Sequence, residues 1–267
     1  MSKQSLEEKI LAEKIAFFDI DGTLLNHDKE LPVSTIQAVK DLQNNGVFCA
    51  IATGRAPFMY EQIRETLGID SYVSFNGQYV VFEGEPIYKN PLSYEHLEEL
   101  HQDAHKNNHP MVFMNEKGMR ATTEEDHFIK ESLSSLHFQY PAVDHKFYHQ
   151  TEIYQSLLFC EGNEIDYYRD RHQKFDYIRW HELSCDVLPS GGSKAEGIKQ
   201  MIRAANLDLK DTYAFGDGLN DIEMLSEVGT GVAMGNAVDA AKQVSDYVTG
   251  DVAEDGLAKA IYELKLL

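Results

Sequence analysis

Short apolar runs rich in strand-forming residues alternate with helical stretches along this chain, and that rhythm constrains the fold more than any other feature. The first run is IAFFDI at 15–20, after a polar leader, MSKQSLEEKILAEK, that reads as helical. A helix is expected over Ser34–Asn45, with Gly46 as its stop signal, and then a second apolar run, VFCAIA at 47–52. Another helix follows from Pro57 to Leu67, stopped by Gly68, and a third strand at Tyr72–Phe75. The rhythm breaks and then resumes at Ser193–Ala205, Thr212–Gly216, Ile222–Glu227 and Gly231–Met234. Apolar runs separated by helices make parallel β-α-β units, so the expected class is α/β, with a doubly wound, Rossmann-like parallel sheet as the core.

The interruption has a different character. Residues 78–89 (QYVVFEGEPIYK) suggest two strands around the turn Glu83-Gly84-Glu85-Pro86. Helices are expected at Tyr94–Lys106 and Glu164–Lys174, and strands at Met111–Met114, Tyr154–Cys160 and Tyr177–His181. This mixture describes an inserted α+β cap over 83–188, with 1–82 and 189–267 forming the core. Ten of the eleven histidines fall in the insertion, together with Trp180.

The polar residues that end the core strands carry the chemistry. In Asp19-Ile20-Asp21-Gly22-Thr23, two carboxylates two residues apart on a strand share one face. Ligands of open parallel sheets bind beyond the carboxyl ends of the strands, where these aspartates stand. So close a pair repels unless a cation or shared proton intervenes, which suits a metal-bound nucleophile beside a proton carrier. Thr53-Gly54-Arg55 ends the second strand and offers a hydroxyl and backbone N–H groups to phosphoryl oxygens. Lys194, in Gly191-Gly192-Ser193-Lys194, stands at a helix start, where the helix dipole disfavours a cation, so its use lies elsewhere: neutralising phosphate and carboxylate. Asp217 and Asp221, in Phe215-Gly216-Asp217-Gly218-Leu219-Asn220-Asp221, follow another apolar strand. Asp19, Asp217, Asp221 and the backbone carbonyl of Asp21 would form an all-oxygen site, the donor chemistry of Mg²⁺ rather than zinc or copper.

Taken singly, each element has a plain reading. D-x-D-G is often a turn, Ser193 could simply cap a helix, and G-D-G-x-N-D could bind calcium or only shape a loop. Four such elements in this order at strand ends and helix starts favour one joint site.

The formal net charge of −20 excludes a sequence-independent nucleic-acid binder, because a phosphate backbone would repel the chain. A phosphate pocket must therefore gather positive charge locally; the general acidity itself serves solubility. Cys49, Cys160 and Cys185 form no disulfide or zinc pattern, and the first two sit in apolar runs as small hydrophobes. The leader lacks the apolar centre of a signal peptide, and no run of about 18 apolar residues spans a membrane. The expected setting is the cytoplasm, and the expected form a monomer without nucleic-acid or membrane partners.

DIDGTLL, ATGR, GGSKAEGI and GDGLNDIEML resemble the four motifs of the haloacid dehalogenase superfamily of aspartate-nucleophile phosphotransferases. The resemblance spans the whole chain, and the insertion lies between the second and third motifs, the place of a type-II cap. With Phe75-Asn76-Gly77, AMGNA and DGLAKAI, the chain resembles the Cof-like branch, which carries a IIB cap and acts on sugar phosphates and related small metabolites. The resemblance implies Asp19 as nucleophile through an aspartyl-phosphate and Asp21 as the acid and then base. It implies Thr53 and Lys194 on the phosphoryl group, Asp217 on Mg²⁺, and Asp221 on the ion directly or through water. Asn220 would orient phosphate or the lysine, while Arg55 and Asn76, just beyond core strands, are candidates for substrate contact with Gly54. A small phosphate ester is the implied substrate. Rival readings are a phosphomutase, needing a second phosphate patch from Arg120, Arg169, Arg171 or Arg179, and a non-catalytic phosphate-ligand sensor.

Overall fold

The computed structural model describes residues 14–267, so the helix expected in the leader lies outside the described residues. The chain divides into two compact units. Among the described residues, Lys14–Arg55, Tyr60–Tyr88 and Ser193–Leu267 form the core unit; Ala56–Met59 and Lys89–Gly192 form the inserted one.

The core sheet has eight strands in the order β13-β12-β11-β1-β2-β3-β4-β5. These are β1 (Lys14–Phe18), β2 (Val47–Ala52), β3 (Tyr72–Ser74), β4 (Tyr79–Phe82), β5 (Glu85–Lys89), β11 (Thr212–Gly216), β12 (Thr230–Ala233) and β13 (Tyr247–Val248). β1 pairs in parallel with β11 on one side and β2 on the other, and the parallel pairing continues outward to β13 and β3. Ile15, Ala16, Phe17 and Phe18 are all wholly buried, as a central strand covered on both faces requires. Ile15 and Phe17 belong to one apolar cluster with Ile198, Met201 and Ile202 of α6 (Lys194–Ala205) and with Met224 and Leu225 of α7 (Ile222–Glu227). A second group packs together: α1 (Val33–Asn44), set against β2, with α2 (Glu61–Leu67) and α9 (Gly256–Glu263).

β3 and β4 run antiparallel, and β5 extends the same sheet as its edge. The turn into β5 is tighter than the sequence suggested. Only Glu83 (φ 47°) and Gly84 (φ 80°) lie between the strands, both in the left-handed region of a two-residue hairpin turn. Because β5 stays in the core sheet, the boundary expected at 82/83 moves to 88/89. The boundary expected at 188/189 moves to 192/193, because β10 (Ser184–Pro189) pairs with β9 (Phe175–His181) to its last residue and the Gly191 N–H donates to Asp176. Pro86 is tolerated because an edge strand leaves one row of its backbone groups unpaired.

The helix expected from Pro57 is also divided. A 3₁₀ turn at Pro57–Met59 precedes Tyr60, which has φ −138°, and α2 begins only at Glu61. Burial of Tyr60, whose hydroxyl bonds Ser74, fixes this break.

The inserted unit is an antiparallel sheet in the order β7-β6-β8-β10-β9, with β6 (Met111–Asn115), β7 (Gly118–Ala121) and β8 (Gln155–Phe159). Helices α3 (Tyr94–Lys106) and α5 (Glu164–Arg171) bury Leu97, Leu100, Ile165 and Tyr168 in one cluster with Phe113, Leu158 and Cys185 of the sheet. Helix α5 stops three residues earlier than expected, where His172 turns out of helical geometry and its Nε2 meets Asp103 at 3.1 Å. Helix α4 (His127–Ser135), capped by the Asp126 side chain, and strands β7 and β10 were not anticipated. All three cysteines are buried and free.

Candidate active site

Three adjacent parallel strands, β11, β1 and β2, end side by side, and the chain leaves each with a polar residue. Asp19 follows β1 and continues its ladder by donating its N–H to the Phe215 carbonyl at 2.9 Å. Asp217 follows β11, and Thr53 follows β2. Gly22, with φ +79°, turns the chain back beyond β1, and a Cβ at this position would run into the Asp217 carboxylate. Only glycine meets both the backbone angle and the close approach.

Lys194 opens α6 after the N-cap Ser193, whose hydroxyl accepts from the Glu196 N–H. Its side chain is wholly buried, and Nζ donates to Asp19 Oδ1 at 2.5 Å and to Asp221 Oδ1 at 2.6 Å. The other oxygen of Asp221 accepts the backbone N–H groups of Asp217 and Gly218 at 2.9 and 2.8 Å. Asp221 therefore fixes both the lysine and the loop carrying Asp217. Asp217 Oδ1 accepts the Thr23 hydroxyl at 3.0 Å. Asn236 donates to the Gly22 carbonyl at 2.8 Å and is itself held by the Val252 N–H, tying the β12 end to the same turn.

Ligand oxygens of Asp19, Asp217 and Asp221 lie within 4.8 Å of one another. Burial, with repulsion from Asp221 and Asp217, outweighs the pull of Lys194 and pushes the Asp19 carboxyl up to about 8. Burial likewise pushes Asp217 up to about 6, although the Thr23 bond opposes it. Lys194 is held protonated well above its usual range: burial alone would lower it, but Asp19 and Asp221 outweigh that. One ammonium thus faces three carboxylates. Among the described hydrogen bonds none ends on the Asp21 carbonyl oxygen. The donor set is all oxygen and short of positive charge, which fits Mg²⁺.

A pH effect follows from the two raised carboxyls. Their folded pKa values lie above the ordinary value, so the folded chain binds more protons than the unfolded one between about pH 4 and 8. Stability in chelator is therefore expected to fall as pH rises from 5 to about 8, and Mg²⁺ to flatten that slope. Thermal melts at several pH values check this; a melting temperature that rises over the same interval in chelator contradicts it.

Asp21 stands differently. Arg55 grips it as a fork, with Nε on Oδ2 at 2.8 Å and Nη2 on Oδ1 at 2.7 Å, and Lys29 Nζ adds a third bond at 2.7 Å. Burial alone would raise this carboxyl, but Arg55 and then Lys29 hold it below the usual carboxylate range. Arg55, the candidate for substrate contact, is bonded to Asp21 in this arrangement.

The remaining expected residues meet as follows. Thr53 is buried, and its hydroxyl accepts the Arg55 N–H at 3.1 Å. Asn76, at φ +50°, donates its backbone N–H to the Thr53 carbonyl, and its side chain accepts from Asn220 Nδ2 at 3.2 Å. Gly54 lies against the Asn76 amide, where a Cβ would be tightly crowded. Sequence reasoning gave no role to Thr23, Lys29 or Asn236. Thr23 and Asn236 obey the signal used for the others, a polar residue just past an apolar strand, whereas Lys29 lies in a loop without one.

A sequence model described as haloacid dehalogenase-like hydrolase matches residues 16–261. The chain is 52% identical over 95% of its length to the YkrA protein of Bacillus subtilis (strain 168), named provisionally as a phosphatase, and covers 98% of that protein. It resembles the crystal structure of a hypothetical protein from Geobacillus kaustophilus HTA426, with a TM-score of 0.94, 56% identity and coverage of 96% and 100% of the two chains. The HAD subclass IIB sugar phosphatase BT4131 has a TM-score of 0.82 and 31% identity over 95% of this chain and 100% of its own. With its parallel core, its strand-end carboxylates and its inserted α+β unit, the chain belongs to the haloacid dehalogenase-like hydrolases, among the Cof-type phosphatases with a IIB cap.

Proposed function

We propose that this phosphatase hydrolyses phosphate monoesters of small metabolites, sugar phosphates among them, through a phosphoryl group carried on Asp19, with Mg²⁺ as cofactor. The observation carrying this reading is the Asp19 carboxylate, buried at a strand end, bonded to Lys194 and set within 4.8 Å of Asp217 and Asp221. When bound, Mg²⁺ would be held by Asp19, Asp217, Asp221 and the Asp21 carbonyl, and supplies Lewis-acid neutralisation of phosphate charge.

The chain's own groups do the rest. An oxygen of Asp19 attacks phosphorus as the bond to the ester oxygen breaks, and the departing oxygen takes a proton from Asp21. Water then attacks phosphorus and gives a proton back to Asp21, the bond to Asp19 breaks, and inorganic phosphate leaves. Dividing the displacement in two replaces one difficult step by two easier ones. Lys194 offsets repulsion between carboxylate and phosphate, while Thr53, Gly54 and the Asn76–Asn220 pair take phosphoryl oxygens. In the resting arrangement Asp21 is ionised, so before it can donate it must be released by Arg55 and Lys29 and take up a proton from solvent; in later cycles that proton is the one the attacking water returns. Arg55 is thereby a positioning residue.

What supports hydrolysis over phosphate transfer within a sugar is the state of the cap arginines. Arg169 pairs with Asp166, Arg120 and Arg171 lie over Phe147 and Tyr167, and Arg179 binds four backbone carbonyls. They form no shared phosphate patch.

The test is phosphate release from a panel of phosphorylated metabolites. Turnover is expected with Mg²⁺ and loss of it on chelation; activity surviving complete chelation would sink the metal assignment. Asp21→Ala is expected to slow sugar-phosphate hydrolysis by about 10²–10⁴-fold. Nitrophenyl phosphate, whose leaving group needs no proton, should lose much less. Equal losses on both substrates would contradict the proton-transfer role.

A further inference from the structure

A cavity of about 620 Å³ lies wholly within the inserted unit, walled by His101, His105, His109, His145, Thr123 and Asp126 among others. We propose that this cavity binds a late first-row divalent ion, Zn²⁺, Ni²⁺ or Cu²⁺, through His101 and His105, with His145 closing on it as a third ligand.

Placement comes first. His101 and His105 are four residues apart on α3, so one helical face carries both imidazoles a turn apart, the spacing by which a helix offers two nitrogens to one ion. His145 reaches the same cavity from the segment between α4 and the 3₁₀ turn at Phe147–His149.

The hydrogen bonds then sort the histidines. His109 has both ring nitrogens taken, by the Tyr168 hydroxyl at 2.7 Å and by Glu164 at 3.3 Å, and is not a ligand. His105 and His145 are exposed and make no hydrogen bond among the described residues. His101 Nδ1 meets the buried Tyr148 hydroxyl at 3.3 Å, with Phe113 edge-on against its ring. A ring that gives its Nδ1–H to an oxygen presents a lone pair at Nε2, the usual outer support of a metal-bound histidine.

Charge selects a cation over an anion. Burial, then the neighbouring His105, His145 and His149, hold His101 below its ordinary range, which keeps it a neutral donor. Asp126 supplies a negative wall, and the whole chain carries −20. Nitrogen donors favour the late first-row ions over Mg²⁺, so this site and the all-oxygen core site would not compete for one metal. Among the described residues only the core carboxylates are already drawn together as a set of three; here His105 and His145 must rotate onto the ion, which limits the affinity.

The experiment is a Cu²⁺ titration of the full chain in excess Mg²⁺, read by electron paramagnetic resonance. Nitrogen hyperfine structure is expected from one equivalent, and an all-oxygen core cannot produce it. His101→Ala and His105→Ala should abolish that signal, and Tyr148→Phe should weaken binding about tenfold. His96→Ala, on the same helix but outside the cavity, should change nothing. Circular dichroism confirms folding of each variant, and exposed His105 gives the variant least able to disturb the fold. A nitrogen signal unchanged in His105→Ala overturns the proposal, as does one appearing only after several equivalents. A response of these imidazoles to inorganic phosphate but not to metal also overturns it, in favour of an anion pocket.

Discussion

Asp19→Asn is expected to reduce phosphate release by at least about 10⁴-fold while leaving the fold intact, because an amide cannot form the phosphoryl bond. The substitution is nearly isosteric. It also removes one of three carboxylates crowded into a buried site, the one burial pushes up to about 8. Lys194 keeps its 2.6 Å bond to Asp221, so no buried charge loses its last partner. The melting temperature in chelator should therefore stay the same or rise. Activity and stability thus separate: a variant that melts early and is inactive would make Asp19 a structural residue, and full turnover would end the covalent route. Trapping of ³²P from labelled substrate on the quenched wild type, absent in Asp19→Asn, is the matching positive result.

Lys194→Met should show the opposite pairing of effects, losing both activity and stability. The ammonium lies wholly buried between Asp19 and Asp221, and Asp221 itself is 0% exposed. Breaking such a pair by deleting one partner leaves an uncompensated buried charge, a cost of about 3–5 kcal/mol. For a chain of this size that corresponds to a fall in melting temperature of roughly 10 °C. Mg²⁺ should restore more stability to the variant than it adds to the wild type, since the carboxylates then have no other cation. A variant as stable as wild type in chelator would mean that Lys194 does not hold the loop through Asp221.

The contrast shows what the sequence could and could not carry. The alternation of apolar runs and helices located β1, β2, β11 and β12, and each ended in a residue that arrives at the site. That works because a buried parallel strand has no room for an unpartnered polar side chain, so the first polar residues past the apolar run, Asp19, Thr53, Asp217 and Asn236, mark its end. The cap was harder to read. Gly118–Ala121 and Ser184–Pro189 are short and mix polar with apolar residues, and they become strands only because β6, β8 and β9 pair with them. The partners within the site were not legible either. That Arg55 would fork onto Asp21 depends on how β2 ends beside β1, and that Lys29 would join it depends on the Asn26–Glu30 turn. Both are tertiary facts with no local signal. The helix expected from Pro57 to Leu67 forms only over Glu61–Leu67 for a related reason, because burial of Tyr60 outweighed local propensity at its start.

The register Ile15↔Thr212 has a consequence for biosynthesis. One flank of the central strand waits for a neighbour made about two hundred residues later, while the other flank pairs almost at once. A ribosome-bound or truncated chain ending before Thr212 therefore displays an apolar, unsatisfied sheet border, the kind of surface on which nascent chains stick to one another. Stalled translation products of this protein should depend on chaperones far more than the finished molecule does.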